Sequence, residues 1–374
     1  MRRETAESVR GRTDLSDSSD LASTLLTPLI QRSAMVTTSP IGSVIIPTRN
    51  EEAFIDRCLQ SVFSSDPVPG GLEVLVVDGM STDRTRQILA DWCQKQPSLK
   101  ILDNPSGIVP RAMNIGITAA RGQWIIRLDA HSEYPANYFN LCIETSQRTG
   151  ADNVGGGVVT LVRGNGWSGK AVRALTTHSF GVGNSSFRIG AAAGWVDTVP
   201  FGCYRRGTLE RTGMYDERLV RNQDFELNRR LHKNGGRIWY DPSIQALYYN
   251  QSSLRGLFRQ AFNTGKWNPW MWFVAPYSFM WRHAVPMVFV SALIFGFSLS
   301  LISPIMGILT LMVTLVPYFL LNLRASLQQC YRYGLTILPG LPLLFLFYHI
   351  VYGIGGLWGL FLLLLGRASV QVAS

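Results

Sequence analysis

The pattern of apolar and polar positions from residue 41 onward predicts strands that alternate with helices. Four short apolar runs predict strands, at 43–47, 72–78, 100–105 and 123–129. Between these runs, apolar residues recur at the spacing of one helical face, as Ile55, Leu59 and Val62 do after the first strand. This alternation predicts parallel β-α-β units in an α/β fold, with helices on both faces of a mostly parallel sheet.

Helix and strand boundaries follow from polar and proline positions. Asn50 is predicted to cap the first helix, and Pro110 to open the third. Beyond residue 150 the pattern is less regular, but VGGGVVTLV (154–162) and VDTVPFGCYRR (196–206) each predict a strand.

The C-terminal third contains two long runs without a charged residue, 284–323 and 335–366. A membrane-spanning helix needs about 20 apolar residues, so the first run predicts two such helices joined at Ser303 and Pro304. The second predicts either one span preceded by a broken interfacial piece, or two short spans. Residues 284–374 are therefore expected to form about three to four transmembrane helices. Buried helices of a soluble core are the alternative, but a soluble core does not require 40 uncharged residues.

The net charge of +10 suggests nucleic acid at first sight, but its distribution does not. Asp241 is the last acidic residue, and the seven basic residues beyond it border the apolar runs. Positive flanks stay on the cytoplasmic side, so we expect a multi-pass protein of the inner (plasma) membrane with a cytoplasmic N-terminal region. Residues 1–40 are polar and lack an apolar core, which predicts a disordered tail rather than a signal peptide.

Polar side chains follow three of the predicted strands at their carboxyl ends. They are Thr48-Arg49-Asn50-Glu51, Asp78-Gly79, and the segment from Arg127 to His131. Ligands bind beyond these ends in parallel sheets, so the sequence predicts one polar crevice there. No GxGxxG follows the first strand, which disfavours a dinucleotide-binding fold, and GxxxxGK[ST] is absent from the sequence, which disfavours a P-loop ATPase.

Five segments in order resemble the family 2 inverting glycosyltransferases: SVIIPTRNEE, VLVVDGMSTDRT, RAMNIGI, RLDAHSEYP and NQDFELNRRL. With its DAH variant, the chain is most similar to the succinoglycan glucosyltransferase-like branch, over residues 41–270 and more loosely beyond. The resemblance implies a GT-A-type nucleotide-sugar-binding domain at 41–250, while composition predicts interfacial helices at 251–283 ahead of the membrane region. It also implies transfer of a hexose, with glucose from UDP-glucose expected, to a lipid-linked or membrane-proximal saccharide in exopolysaccharide biosynthesis.

The resemblance also assigns donor and metal residues. Those implied to bind the nucleotide sugar are Pro47, Arg49, Glu51, Asp78, Arg111, Asn114 and Asp129. A divalent cation, Mn²⁺ or Mg²⁺, neutralises the diphosphate leaving group. Asp129 is implied as a ligand, and His131 stands where the family has a second acid, which favours Mn²⁺. Alternatively, His131 hydrogen-bonds a phosphate oxygen, and Asp129 caps a helix or pairs with Arg127.

Asp224 is implied as the catalytic base, in a helix that Asn222 is predicted to cap. The family's usual Glu-Asp pair is Gln223-Asp224 here, so the second acid is kept. Inversion by single displacement needs a base beside the acceptor hydroxyl. The alternative is an acid that only complements the helix dipole. Glu226 is expected to be structural or an acceptor contact.

The segment 253–267 predicts a basic amphipathic helix ahead of a tryptophan-rich stretch, the form of a segment in the membrane interface. The alternative is a soluble helix packed on the catalytic domain. The residues expected to bind a polyprenyl-diphosphate-linked acceptor are Arg259, Gln260, Lys266 and Trp267. A processive polysaccharide synthase and a non-catalytic nucleotide-sugar-binding protein remain alternatives. Donor hydrolysis would separate an enzyme from a binding protein.

Overall fold

The computed structural model describes residues 39–161, 166–249 and 253–367. The predicted N-terminal tail lies outside the described residues up to residue 38. The last seven residues of the predicted membrane region, 368–374, also lie outside them.

Within the described residues, nine strands form one mixed sheet in the order β3-β2-β1-β4-β8-β6-β9-β5, with β7 paired to β9. The strands are β1 Gly42–Thr48, β2 Leu72–Asp78, β3 Leu99–Asp103, β4 Trp124–Arg127, β5 Ser132–Glu133, β6 Asn153–Leu161, β7 Gly194–Val196, β8 Cys203–Arg205 and β9 Ile238–Tyr249. The four strands predicted first lie side by side and run parallel. The carboxyl ends of β1, β2 and β4 therefore meet at one edge of the sheet.

Nine helices accompany this sheet in the described part of the chain before residue 250. They are α1 Ile55–Phe63, α2 Thr85–Lys95, α3 Val109–Ala119, α4 Tyr138–Thr149, α5 Trp167–Thr176, α6 Ser179–Val182, α7 Ser186–Ile189, α8 Arg206–Thr212 and α9 Gln223–Lys233. Alternating residues of β1 pack on opposite faces, Val44 and Ile46 against α1, α2 and α4, and Ile45 against α3 and α9. The predicted helices on both faces of the sheet are confirmed.

Two local predictions were wrong. Asn50 does not cap α1, which begins five residues later; it adopts a left-handed conformation (φ 55°), and its Oδ1 accepts a hydrogen bond from the backbone N–H of Thr82. The run 196–206 is not one strand, because Pro200 has no N–H to donate and Phe201 adopts a positive φ of 46°. The chain instead forms β7 and β8, and β8 pairs antiparallel with β4 and β6.

The C-terminal part is helical, and three of its helices are long and apolar enough to cross a membrane. The helices are α10 Leu254–Val274, α11 Trp281–Ile302, α12 Pro304–Tyr333 and α13 Leu341–Leu364. The predicted break at Ser303 is confirmed. The second apolar run forms a short 3₁₀ turn, Leu335–Ile337, followed by the single helix α13, which is the first of the two predicted arrangements.

The predicted amphipathic helix α10 packs along α13 through small residues. A Cβ at Gly265 would collide with the carbonyl oxygen of Tyr352, and one at Gly355 with that of Phe262. Small residues let two helix backbones approach closely, as they do in membrane bundles. The segment α5–α6 of the sheet half also packs on these helices, where Phe180 contacts Phe345 and His349. The apolar helices are therefore joined to the sheet half by extensive packing.

Candidate active site

A cavity of about 910 Å³ opens at the carboxyl edge of the sheet and extends to the start of α11. It is bounded by the ends of β1 and β4, the start of α9, one side of α10, and the first residues of α11. The predicted site residues that line it are Pro47, Arg49, Glu51, Asp129, His131, Asp224, Arg259 and Gln260. The structure thus brings the predicted donor, metal, base and acceptor groups to one cavity.

His131 and Asp129 lie beyond β4. The Nδ1 of His131 lies 3.1 Å from Oε1 of Glu51, and the hydroxyl of Tyr134 accepts the backbone N–H of Asp129 at 2.9 Å. Burial alone would lower the pKa of His131, but the hydrogen bond with Glu51 and the charge of Asp129 outweigh it and raise that pKa. Glu51 therefore orients the imidazole through one nitrogen.

Arg127, the last residue of β4, connects Asp129 with Asp224. Its Nη2 lies 3.0 Å from Oδ1 of Asp129, and its Nη1 pairs with Oδ1 of Asp224. The guanidinium is buried, and its Nε has no hydrogen-bond partner in the described ranges. Burial would lower the pKa of Arg127, but the carboxylates of Asp224 and Asp129 raise it well above its ordinary value. Sequence reasoning named Arg127 only as an alternative partner of Asp129 and missed its link to Asp224.

Asp224 lies in the first turn of α9, at the cavity wall. Asn222 precedes the helix but does not cap it with its side chain. It adopts φ 63°, and its Nδ2 donates to Oδ1 of Asn268 in α10 at 2.8 Å. Glu226 is fully buried, where it pairs with Arg230 at 2.8 Å. Two acids separated by two positions thus have different surroundings, and only Asp224 faces the cavity.

Three residues predicted beside the nucleotide do not line the cavity. Asp78 is buried and pairs with Arg86 at 3.0 Å, although its neighbour Gly79 does line it. Helix α3 presents Val109 and Ala112 to the cavity, so Arg111 and Asn114 lie elsewhere on the helix. They contact the segment 215–217 instead: Arg111 pairs with Glu217 at 3.1 Å, and Asn114 donates to the carbonyl oxygen of Tyr215 at 2.9 Å.

Lys266 and Trp267 also lie outside the cavity lining, since α10 turns another face toward it. That face carries Asn263, Thr264 and Asn268 in addition to the two predicted residues. Trp267 is buried, and the backbone of Lys266 packs against Gly359 of α13. The three additional polar residues were missed, although their spacing with Gln260 is helical and gave a usable signal.

A divalent cation at this site needs oxygen or nitrogen atoms that are not already engaged within the protein. In the part of the chain that the structure describes, no cluster of three or more His, Cys, Asp or Glu side chains could hold a metal by itself. Asp129 is bonded to Arg127 through Oδ1 and His131 to Glu51 through Nδ1, so that Asp129 Oδ2 and His131 Nε2 have no hydrogen-bond partner among the described residues. One or two protein ligands suit a cation whose remaining ligands are substrate phosphates and water. The residues present therefore fit such a cation.

The mixed sheet, its helices and the polar cavity at the strand ends define the GT-A-type class. The family model of glycosyl transferase family 2 matches residues 43–205. The succinoglycan biosynthesis protein ExoA of Rhizobium meliloti is 33% identical over 233 residues, which cover 61% of this chain and 69% of that protein. The chain belongs to family 2, and it is a glycosyltransferase.

Two further proteins are similar over most of their length. A Methanococcus voltae dolichyl N-acetyl-alpha-D-glucosaminyl phosphate 3-beta-D-2,3-diacetamido-2,3-dideoxy-beta-D-glucuronosyltransferase is 27% identical over 325 residues, 85% of this chain and 96% of that protein. The mannosyltransferase PcManGT of Pyrobaculum calidifontis, solved with GDP-Man and Mn²⁺, has a TM-score of 0.54 at 18% identity. The match covers 90% of this chain and 95% of that one, and it shows a common fold.

Proposed function

We propose that the chain transfers a hexose, with glucose from UDP-glucose as the expected donor, to a lipid-linked or membrane-proximal saccharide in polysaccharide biosynthesis. The observation that carries this proposal is the extent of the cavity, which runs from Asp129 and Asp224 to Arg282 and His283. The latter two residues lie in the first turn of α11, the first helix that could span a membrane. An acceptor held in the membrane interface would therefore reach the sugar-transfer site. The names of the Rhizobium and Methanococcus relatives support polysaccharide synthesis and a lipid carrier.

The proposed reaction is a single displacement with inversion. Asp224 accepts the proton of the acceptor hydroxyl while that oxygen attacks the anomeric carbon, and the nucleoside diphosphate leaves from the opposite side. Arg127 holds the carboxylate of Asp224 and, through its other nitrogen, that of Asp129. Arg49 and Glu51 border the diphosphate end of the donor. Asp78, which lies behind Gly79, remains the proposed partner of the donor's nucleotide base.

A divalent cation held by Asp129 and His131 would supply positive charge to the leaving diphosphate. The residues of the chain orient this site: Glu51 fixes the imidazole through Nδ1, and Arg127 fixes Asp129 through Oδ1. A neutral imidazole nitrogen suits Mn²⁺ better than Mg²⁺.

Replacing His131 by Asp is expected to shift the metal preference from Mn²⁺ toward Mg²⁺, because all-oxygen ligation suits the harder ion. The measurement is the metal concentration for half-maximal donor hydrolysis, taken separately with each ion. His178→Asp, at a histidine outside the cavity, is the matched control. An unchanged metal profile in the His131 variant would show that His131 is not a ligand.

We propose a multi-pass arrangement in the inner membrane with the catalytic domain in the cytoplasm. Reporter fusions after Ser303 are expected outside the cytoplasm and fusions after Arg332 inside it, because positive flanks remain cytoplasmic. Paired alkaline phosphatase and fluorescent-protein activities report the two sides. The reverse pattern would overturn the placement of the catalytic domain.

The direct test is to incubate membranes carrying the protein with a panel of labelled nucleotide sugars. Label is then followed into organic-extractable lipid. Label from UDP-glucose in the lipid fraction is the expected result. Donor hydrolysis without labelled lipid would contradict the lipid-linked acceptor, and donor binding without hydrolysis would favour the non-catalytic alternative.

A further inference from the structure

Four arginines in the cavity lining lack an acidic partner among the described residues: Arg49, which borders the proposed diphosphate position, and three others. Arg188 in α7, Arg221 before α9 and Arg259 in α10 form no salt bridge and no side-chain hydrogen bond with any described residue. Two other arginines of the same lining are paired, Arg127 with two carboxylates and Arg282 with Asp197 at 2.7 Å. Carboxylates are therefore placed to neutralise some of the cavity's arginines and not others.

Arg188 and Arg221 each interact electrostatically with Tyr248. Burial and the charge of Asp129 raise the pKa of Tyr248, and the positive charge of Arg188 opposes that shift. Burial lowers the pKa of Arg221, against the influence of the same tyrosine. The ring of Tyr248 lies 5.0 Å from that of His131, and both aromatic residues line the same cavity as the two arginines.

Arg259 reaches the cavity from the membrane side. It lies on α10, the helix whose backbone packs against α13. Leu254 and Leu257 of the same helix pack with Leu341 and Leu344 at the start of α13. The unpaired charge of Arg259 is therefore at the level where the apolar helices begin.

The charges of the lining leave a positive excess. Six arginines line the cavity, against the three carboxylates of Glu51, Asp129 and Asp224 and that of Asp197, which pairs with Arg282 from outside the lining. A donor diphosphate that arrives with its divalent cation removes little of this excess, because the cation offsets most of the diphosphate's charge. Guanidinium groups bind phosphate oxygens in fixed, often bidentate geometry. The excess therefore calls for a second anion.

We propose that Arg188, Arg221 and Arg259 form a second anion site, distinct from the donor diphosphate site, which binds the phosphate or diphosphate ester of the acceptor's lipid carrier. This inference rests on the proposed function. Arg49, which follows β1 beside Glu51 in the same lining, is left for the donor diphosphate. The sugar attached to the carrier then extends toward Asp224.

The test measures binding of a polyprenyl diphosphate to the full-length protein in phosphatidylcholine nanodiscs. Arg188→Gln, Arg221→Gln and Arg259→Gln are each expected to weaken binding about tenfold or more, the scale of one lost charge-assisted contact. UDP affinity should stay within about twofold. Arg255→Gln is the matched control, an exposed arginine on the same helix outside the cavity lining, and should bind as the wild type does.

Inorganic pyrophosphate and phosphatidylglycerol nanodiscs separate the possible sources of phosphate. Parallel loss of pyrophosphate and polyprenyl diphosphate binding supports the site. Loss confined to phosphatidylglycerol would reassign the arginines to the membrane surface, and loss of UDP affinity would reassign them to the donor; either overturns the proposal. Arg→Lys versions, which keep the charge, serve if a glutamine variant does not fold. A wild type that binds the polyprenyl diphosphate but labels no lipid would contradict the proposed function and leave the anion site standing.

Discussion

Asp224→Asn is expected to reduce sugar transfer by two orders of magnitude or more while leaving donor affinity unchanged. The amide keeps the shape of the carboxylate but cannot accept the proton of the acceptor hydroxyl. Positioned acid–base groups contribute about 10²–10⁴-fold. Single-turnover transfer from the labelled donor and calorimetric titration with UDP measure the two quantities separately.

Asp91→Asn is the matched control, because Asp91 is exposed on α2 and outside the cavity lining. Glu226→Gln gives a second comparison within α9. Glu226 is buried in its pair with Arg230, so its amide variant is expected to lower stability rather than to abolish transfer selectively. An Asp224→Asn enzyme that turns over within a few-fold of the wild type would exclude Asp224 as the base.

Most of the parallel half of the fold was predictable because β1, β2 and β4 are buried on both faces. Such strands appear as continuous apolar runs. The predicted bounds of β2, LEVLVVD at 72–78, agree with the structure at both ends. The same property located the polar crevice, since the carboxyl ends of β1 and β4 lie together in a parallel sheet. Glu51, Asp129 and His131 were therefore predictable as neighbours.

The antiparallel half was less accessible from the sequence. Strand β8 has only three residues, Cys203–Arg205, and its place between β4 and β6 depends on partners far apart in the chain. The segment α5–α7 gave no periodic signal that linked it to the membrane region. Its packing on Phe345 and His349 is a tertiary contact.

Helix rotation explains the residues that were predicted for the site and do not line it. Composition identified α10 as basic and amphipathic, but its rotation is set by Gly265, Gly355 and Gly359, where α10 and α13 approach. That contact turns Trp267 into the helix interface and Gln260 toward the cavity. Spacing along a helix shows which residues share a face, while the packing partner decides where that face points.

Arg127→Met is expected to produce the second large effect, a loss of transfer of two orders of magnitude or more together with a lower melting temperature. Methionine has a similar length but no charge, so the carboxylates of Asp129 and Asp224 lose the guanidinium that separates and orients them. Removing one partner of a buried ion pair costs about 3–5 kcal/mol, because the remaining charge is left uncompensated. Arg127→Lys should recover part of the melting temperature, but a single ammonium cannot hold both carboxylates in the fork geometry of arginine.

A positioning role for Arg127 is separated from a merely structural one by two comparisons. Arg121→Met removes an arginine paired with the buried Glu73 at 3.0 Å, outside the cavity lining, and should lower stability without loss of transfer in the folded fraction. Adding Arg127→Met to Asp224→Asn should lower transfer by a smaller factor than Arg127→Met does alone, since only the contact of Arg127 with Asp129 then remains to be lost. If the two changes instead multiply their effects on kcat, Arg127 acts independently of Asp224, and the bridge between the two carboxylates does not position the base.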